Sequence, residues 1–263
     1  MHDHTDVRPT TRFAMKTYLT MLAVLFSSAT ALAQAPAPLA QAIAARLQSD
    51  ETRLADWPQL GRYRSENAAL PSPEEAEPRV VFMGDSITDF WGRPRGVFFS
   101  GKPYINRGIG GQVTAQMLVR FRPDVINLNP RVVVILGGVN DLAQGFGPTT
   151  PIGEIEGNLA SMAELARAHG IRVVLASGLP VNDHFLPHPL ATHPAEQILA
   201  LNAWIKSYAK TQHFVYLDDY PALLGEGQTI KRELTIDGLH PNAAGYAVMT
   251  PLAQRAIDQA LAQ

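Results

Sequence analysis

The chain has 263 residues, 46% of them apolar and 17% charged, and its 22 basic and 24 acidic side chains leave a formal net charge of −2. That length allows one large domain or two small ones, and the composition argues against disorder. Near-neutrality supplies neither a basic stripe for nucleic acid nor a polybasic patch for a membrane surface. With no cysteine in the chain, disulfides, thiolate nucleophiles, cysteine-ligated zinc and an acylated lipoprotein cysteine are excluded, while the compartment stays open.

Residues 1–16 carry Arg8, Arg12 and Lys16, and residues 18–33 hold no charge. A basic start, an apolar stretch and the small-x-small ending Ala31-Leu32-Ala33 predict a cleavable secretory signal over 1–33 and hence a periplasmic or secreted protein. The rival is a membrane anchor, but the run is short for a span of ~20 residues, is diluted by Ser and Thr, and lacks a basic stop. Met15 is an alternative start. Residues 34–78 read as an N-terminal helix and linker. Leu39, Ile43, Leu47 and Leu54 recur at roughly helical spacing, predicting a helix over 39–55. Pro58, Gly61 and the Pro-rich stretch 71–75 then interrupt structure before the main domain, 79–263.

From residue 79 short apolar runs recur at 79–83, 103–106, 131–136, 171–176 and 214–217. Continuous apolarity bounded by turn residues suits strands covered on both faces. Helical patterns lie between them at 113–128, 152–169 and 194–210, and a last one at 242–262 closes the chain. This alternation predicts an α/β fold with a parallel sheet and right-handed crossovers, its site at the carboxyl ends of the strands.

The loops at those ends carry the chemistry. Gly84-Asp85-Ser86-Ile87-Thr88 puts a hydroxyl just past the first strand. Ser86 there is either a nucleophile or a helix cap in the capping box Ser86–Asp89. Thr88 replaces the second glycine of the G-x-S-x-G elbow. After the second strand, Asn106-Arg107-Gly108-Ile109-Gly110-Gly111-Gln112 offers backbone N–H groups to an anion or oxyanion, or forms a tight turn. A dinucleotide fingerprint would need glycine at Val113 and a position after the first strand. Asn140, in Gly137-Gly138-Val139-Asn140-Asp141, either aims its amide into the cleft or serves an Asx turn. Asp237 and His240 share a tight turn, where a carboxylate fixes the imidazole tautomer and supports its later charge. Pro241 fits the first position of the closing helix.

Together these supply a nucleophile, oxyanion donors, a base and an orienter, the parts of acyl transfer. Gly84-Asp85-Ser86, the glycine block ending at Gly111, Gly138-Val139-Asn140-Asp141 and Asp237-x-x-His240-Pro241-Asn242 stand in the order of the four blocks of the SGNH hydrolases, or GDSL-type esterases/lipases, which the chain resembles over about 79–262. The resemblance implies a flavodoxin-like, three-layer α/β/α domain with a parallel sheet of about five strands. It implies a Ser86–His240–Asp237 triad and an oxyanion hole made by the N–H groups of Ser86 and Gly111 and the amide of Asn140. Gln112 stands where many relatives have Asp, and Gly111 is preferred to Gly110 as the donor. No cofactor or metal is implied. The partner is a small-molecule or carbohydrate ester, with no nucleic acid and no stable membrane anchor.

Other features carry less. His184, His188 and His193 lie in a Pro-rich loop without a carboxylate at ligand spacing, so a solvated loop outweighs a zinc site. Ser207-x-x-Lys210 is mid-helix and lacks the companion β-lactamase motifs. Phe90, Trp91, Phe98 and Phe99 with Arg93 and Arg95 either line a pocket or pack the loop. Asp85 and Asp141 are expected to hold loops by hydrogen bonds.

Overall fold

The computed structural model describes residues 37–73, 78–93, 95–143, 149–182, 193 and 195–263. Two units divide it, residues 1–55 and 56–263. Within the first, the helix expected over 39–55 is present as α1 (Ala37–Ala55). The expected signal over 1–33 lies outside the described residues, as do His184 and His188.

The second unit begins with a short helix, α2 (Arg64–Ala69), and then alternates strand and helix. The strands are β1 (Val80–Gly84), β2 (Tyr104–Gly108), β3 (Val132–Leu136), β4 (Arg172–Ala176) and β5 (Val215–Leu217). All pair in parallel in the order β2-β1-β3-β4-β5. Side chains alternate across a sheet, and the β-branched runs therefore feed two cores. Val81, Met83, Val133, Ile135, Val173 and Leu175 join one, and Val80, Phe82, Val132, Val134 and Val174 the other.

Four helices, two of them short, follow the first three strands: α3 (Ser86–Asp89) after β1, α4 (Thr114–Asp124) after β2, and α5 (Val139–Leu142) and α6 (Ile152–Ala168) after β3. Then come α7 (Ala195–Gln212), α8 (Tyr220–Leu223) and α9 (Ala243–Leu261). Met117 and Phe121 of α4, Leu159 of α6 and Ile205 of α7 cover the first face; Tyr246, Met249, Ala253 and Ile257 of α9 cover the second. The result is a three-layer α/β/α domain. Register places Gly84 opposite both Gly108 and Leu136, so the loops after β1, β2 and β3 start at one level of the sheet.

Two expectations need correction. The single helix over 113–128 is two elements, because Pro123 in its last turn cannot donate a hydrogen bond and Val125 leaves helical geometry before the 3₁₀ turn Ile126–Leu128. Pro241 is not the first residue of the closing helix. Asn242 caps α9 by accepting from Ala244 N and Gly245 N, and Pro241 lies outside it, bridged to Thr235.

Candidate active site

Asp85, not Ser86, caps α3: its Oδ1 accepts from Ile87 N at 2.9 Å. The cap reading of Ser86 is thereby excluded, and Ser86 becomes the first residue of the helix. Its backbone N–H is one of the orphan donors of a helix start and finds no acceptor among the described residues. Its Oγ meets His240 Nε2 at 2.9 Å, and His240 Nδ1 lies 2.7 Å from Asp237 Oδ2. Asp237 also accepts from the N–H groups of Leu239 and His240 at 3.1 and 2.8 Å. Burial pushes the Asp237 carboxyl up, but the His240 N–H, the imidazole and the Leu239 N–H outweigh it and leave the group below the ordinary carboxylate value. A carboxylate held ionised beside the ring favours Nδ1–H and leaves Nε2 to accept the hydroxyl proton.

The glycine block lies against this serine. A Cβ on Gly110 would come within 3.8 Å of Ser86 Cβ, and one on Gly108 would overlap the backbone of Thr88 and Asp89. Gly110 N already donates to Asp89 Oδ2 at 3.1 Å. Gly111 has φ +75°, a left-handed conformation that glycine adopts without strain. Its N–H makes no hydrogen bond among the described residues. Asn140, in α5, spends one N–H on the Gln112 carbonyl at 2.9 Å and keeps the second.

Asp85 and Asp141 do hold loops. Asp141 takes the Thr114 hydroxyl at 2.6 Å and the Thr114 N–H, binding the start of α4 to α5. Burial raises the Asp85 carboxyl to about 7, with the Ile87 N–H opposing and Asp141 reinforcing the shift. The aromatic segment divides. Trp91 and Phe99 are buried with Phe82 and stack around Tyr246 and Tyr104, so they pack the loop. Of these rings Phe90 reaches the site, 5.1 Å from the ring of His240, with the Arg95 guanidinium 4.6 Å from its centroid.

Several supports escaped the sequence reading. Arg120, fully buried in α4, donates to Gly84 O at 2.9 Å, Arg107 O at 2.8 Å and Gln112 Oε1 at 2.5 Å, and pairs with Asp124 at 3.1 Å. It thus ties the ends of β1 and β2 to the glycine turn. Asn106 Nδ2 donates to Thr88 O and Trp91 O, and Tyr246 Oη donates to Ile87 O at 2.7 Å. The one available signal was Arg120 falling on the same helical face as Met117, Phe121 and Asp124. Among the described residues no cluster of three or more His, Cys, Asp or Glu could hold a metal ion.

The model of the GDSL-like lipase/acylhydrolase family matches residues 82–248. The chain belongs to this family. A GDSL-like lipase from Bacteroides thetaiotaomicron is 42% identical, with a TM-score of 0.70 over 77% of this chain and 98% of that one. Among curated relatives, the uncharacterised lipoprotein YqeF of Bacillus subtilis is 32% identical over 117 residues and the esterase TesA of Pseudomonas aeruginosa 28% over 145. Those alignments take in 43% and 53% of this chain but only 47% and 62% of the relatives' own lengths. An acetyl xylan esterase, at 23% identity and TM-score 0.57 over 68% of this chain and 99% of that one, shares the fold. Among the described residues no helix is long and apolar enough to cross a membrane.

Proposed function

We propose that the protein is an exported serine esterase that hydrolyses carboxylic esters through an acyl-enzyme on Ser86. The observation that carries this is the unbroken hydrogen-bond chain from Ser86 Oγ through His240 to Asp237. His240 Nε2 takes the hydroxyl proton as Oγ attacks the ester carbonyl, and Asp237 orients the ring and offsets its charge. The tetrahedral oxyanion is met by the free N–H groups of Ser86 and Gly111 and the unused N–H of Asn140. The proton then passes from His240 to the departing alcohol. Water, deprotonated by the same nitrogen, releases the acid and restores Ser86.

Short-chain acyl or acetyl esters, acetylated carbohydrate among them, are the substrates this reading favours. Its support is the charge-free segment 18–33 behind a basic start, a near-neutral net charge, and a fold shared with an acetyl xylan esterase. Lysophospholipase, thioesterase or O-acyltransferase activity is the alternative. Ser86→Ala is expected to abolish p-nitrophenol release from p-nitrophenyl acetate while the circular dichroism spectrum and melting curve persist; turnover in that variant would overturn the assignment. An acyl series from C2 to C16 beside acetylated xylan, with a polysaccharide acceptor to score transfer, then fixes the substrate.

A further inference from the structure

A second cavity lies along the exposed edge of β2, between α2 and the loop after α3. Its volume is about 470 Å³, within the range of small-molecule sites, and Leu70, Trp91 and Phe98 give it apolar walls while Glu66, Arg93 and Arg107 line its polar end. The indole Nε1 of Trp91 is buried without an acceptor.

Among the described residues the polar end, lined by Arg93 and Arg107 against Glu66, holds more cation than carboxylate. Three guanidiniums gather on the buried ring of Tyr63: Arg107 at 4.5 Å, Arg62 at 4.7 Å and Arg93 at 5.9 Å. A single carboxylate, Glu66, approaches all three, at 3.4, 3.7 and 3.8 Å from Arg107, Arg62 and Arg93. Among the described residues the other acids nearby are committed elsewhere, Asp89 to Gly110 N and Asp124 to Arg120 and Asn67.

The donors are also underused. Arg107, its side chain only 3% exposed, spends Nε on Asn67 and Nη1 on the Asn106 carbonyl and Glu66, and its Nη2 donates to no described residue. Among the described residues Arg93, at 42% exposure, has only the distant approach to Glu66 and its place over the Tyr63 ring. An N–H that no described residue accepts can bind a ligand acceptor without giving up an internal bond.

We propose that this cavity is a binding site for an amphipathic monocarboxylate, separate from the Ser86 cleft. A planar carboxylate matches the guanidinium fork, and a medium-length aliphatic or aromatic body meets the apolar walls. Glu66 at the same end opposes a dianion such as phosphate, which selects a single negative charge.

Calorimetric titration of the full chain with octanoate tests this, with octanol and octylamine as controls. One saturable octanoate site is expected, with octanol and octylamine far weaker. Arg93→Gln, an exposed change, should weaken it about tenfold, the worth of one charge-assisted hydrogen bond. Ala69→Trp, which fills the cavity from exposed helix surface, should remove it, and Asn140→Ala, in the other cleft, should leave it intact. Absence of saturable binding at millimolar octanoate, equal binding of octanol, or binding indifferent to Arg93→Gln would each overturn the proposal. Loss in Asn140→Ala would do so as well, by placing octanoate in the Ser86 cleft.

Discussion

At the carboxyl ends of β1 and β2, Arg120 is wholly buried and every nitrogen of its guanidinium has a partner, from Gly84, Arg107, Gln112 or Asp124. At the ends of β4 and β5, Asp219 is equally buried and neither carboxylate oxygen has one. Its backbone N–H and that of Tyr220 go to Ser177 Oγ, at 3.0 and 3.1 Å, so the main chain there is secured while the side chain is not. Burial, with Asp218 adding repulsion, raises the Asp219 carboxyl to about 8. The half of the sheet that positions Ser86 and the glycine turn is therefore held by a polar network around Arg120 that leaves Asp85 with one oxygen bonded and Oδ2 unpaired, against both oxygens of Asp219. The far half tolerates an unpaired acid. A satisfied buried network fixes one geometry, whereas an unpaired group only costs stability.

The contrast is broken most severely at Arg120. Arg120→Met leaves Asp124 buried beside an uncharged chain and frees the carbonyls of Gly84 and Arg107. We expect a loss of about 3–5 kcal/mol in urea unfolding, together with reduced esterase activity as the glycine turn loosens. A midpoint equal to the parent's would mean the network is ornamental.

Asp219→Asn tests the opposite half and should stabilise. In the folded chain the carboxyl keeps its proton up to about pH 8, whereas in the unfolded chain it ionises near 3.8, the ordinary value of a free aspartate. The folded state thus binds the extra proton, and the stability this confers is complete below the lower value and lost as pH rises through the upper one. Removing the ionisation should raise stability by about 1–3 kcal/mol at pH 9 and change it little at pH 4. Melting curves across that interval with no pH-dependent difference would contradict it.

Thr114→Val makes the smallest change. It deletes one hydroxyl bond to Asp141 and the acceptor for Asn158 Nδ2 while keeping the backbone bonds. A cost of about 1 kcal/mol in the same unfolding assay is expected.

Much of this architecture was legible in the amino-acid sequence. Runs such as 131–136 are apolar throughout and bounded by turn residues, so both their strand character and their two-sided burial could be read directly. The candidate site residues could be singled out because each falls in a loop at a strand end, where the hydroxyl of Ser86 and the imidazole of His240 have no packing role to explain them. What resisted reading was partnership. The acceptors of Arg120 are mainly main-chain carbonyls of other strands, and no spacing announces them. Asp85 takes the cap from Ser86 because backbone torsions, not residue preference, decide which side chain faces the free N–H groups. Trp91 and Phe99 could be assigned to packing only once Tyr246 and Tyr104 were seen beside them.

Ser86 and His240 are separated by 154 positions, and the base lies on the last loop before α9. During synthesis, most of the sheet and its flanking helices are made before the imidazole that completes the site. On the proposed mechanism, until that closing segment docks, with Tyr246 clasping the Ile87 carbonyl, Ser86 is an ordinary alcohol. Long-range contacts of this kind form late and slowly. On the proposed mechanism hydrolysis requires the segment that carries His240, and the time at which activity appears during refolding reports the docking of α9.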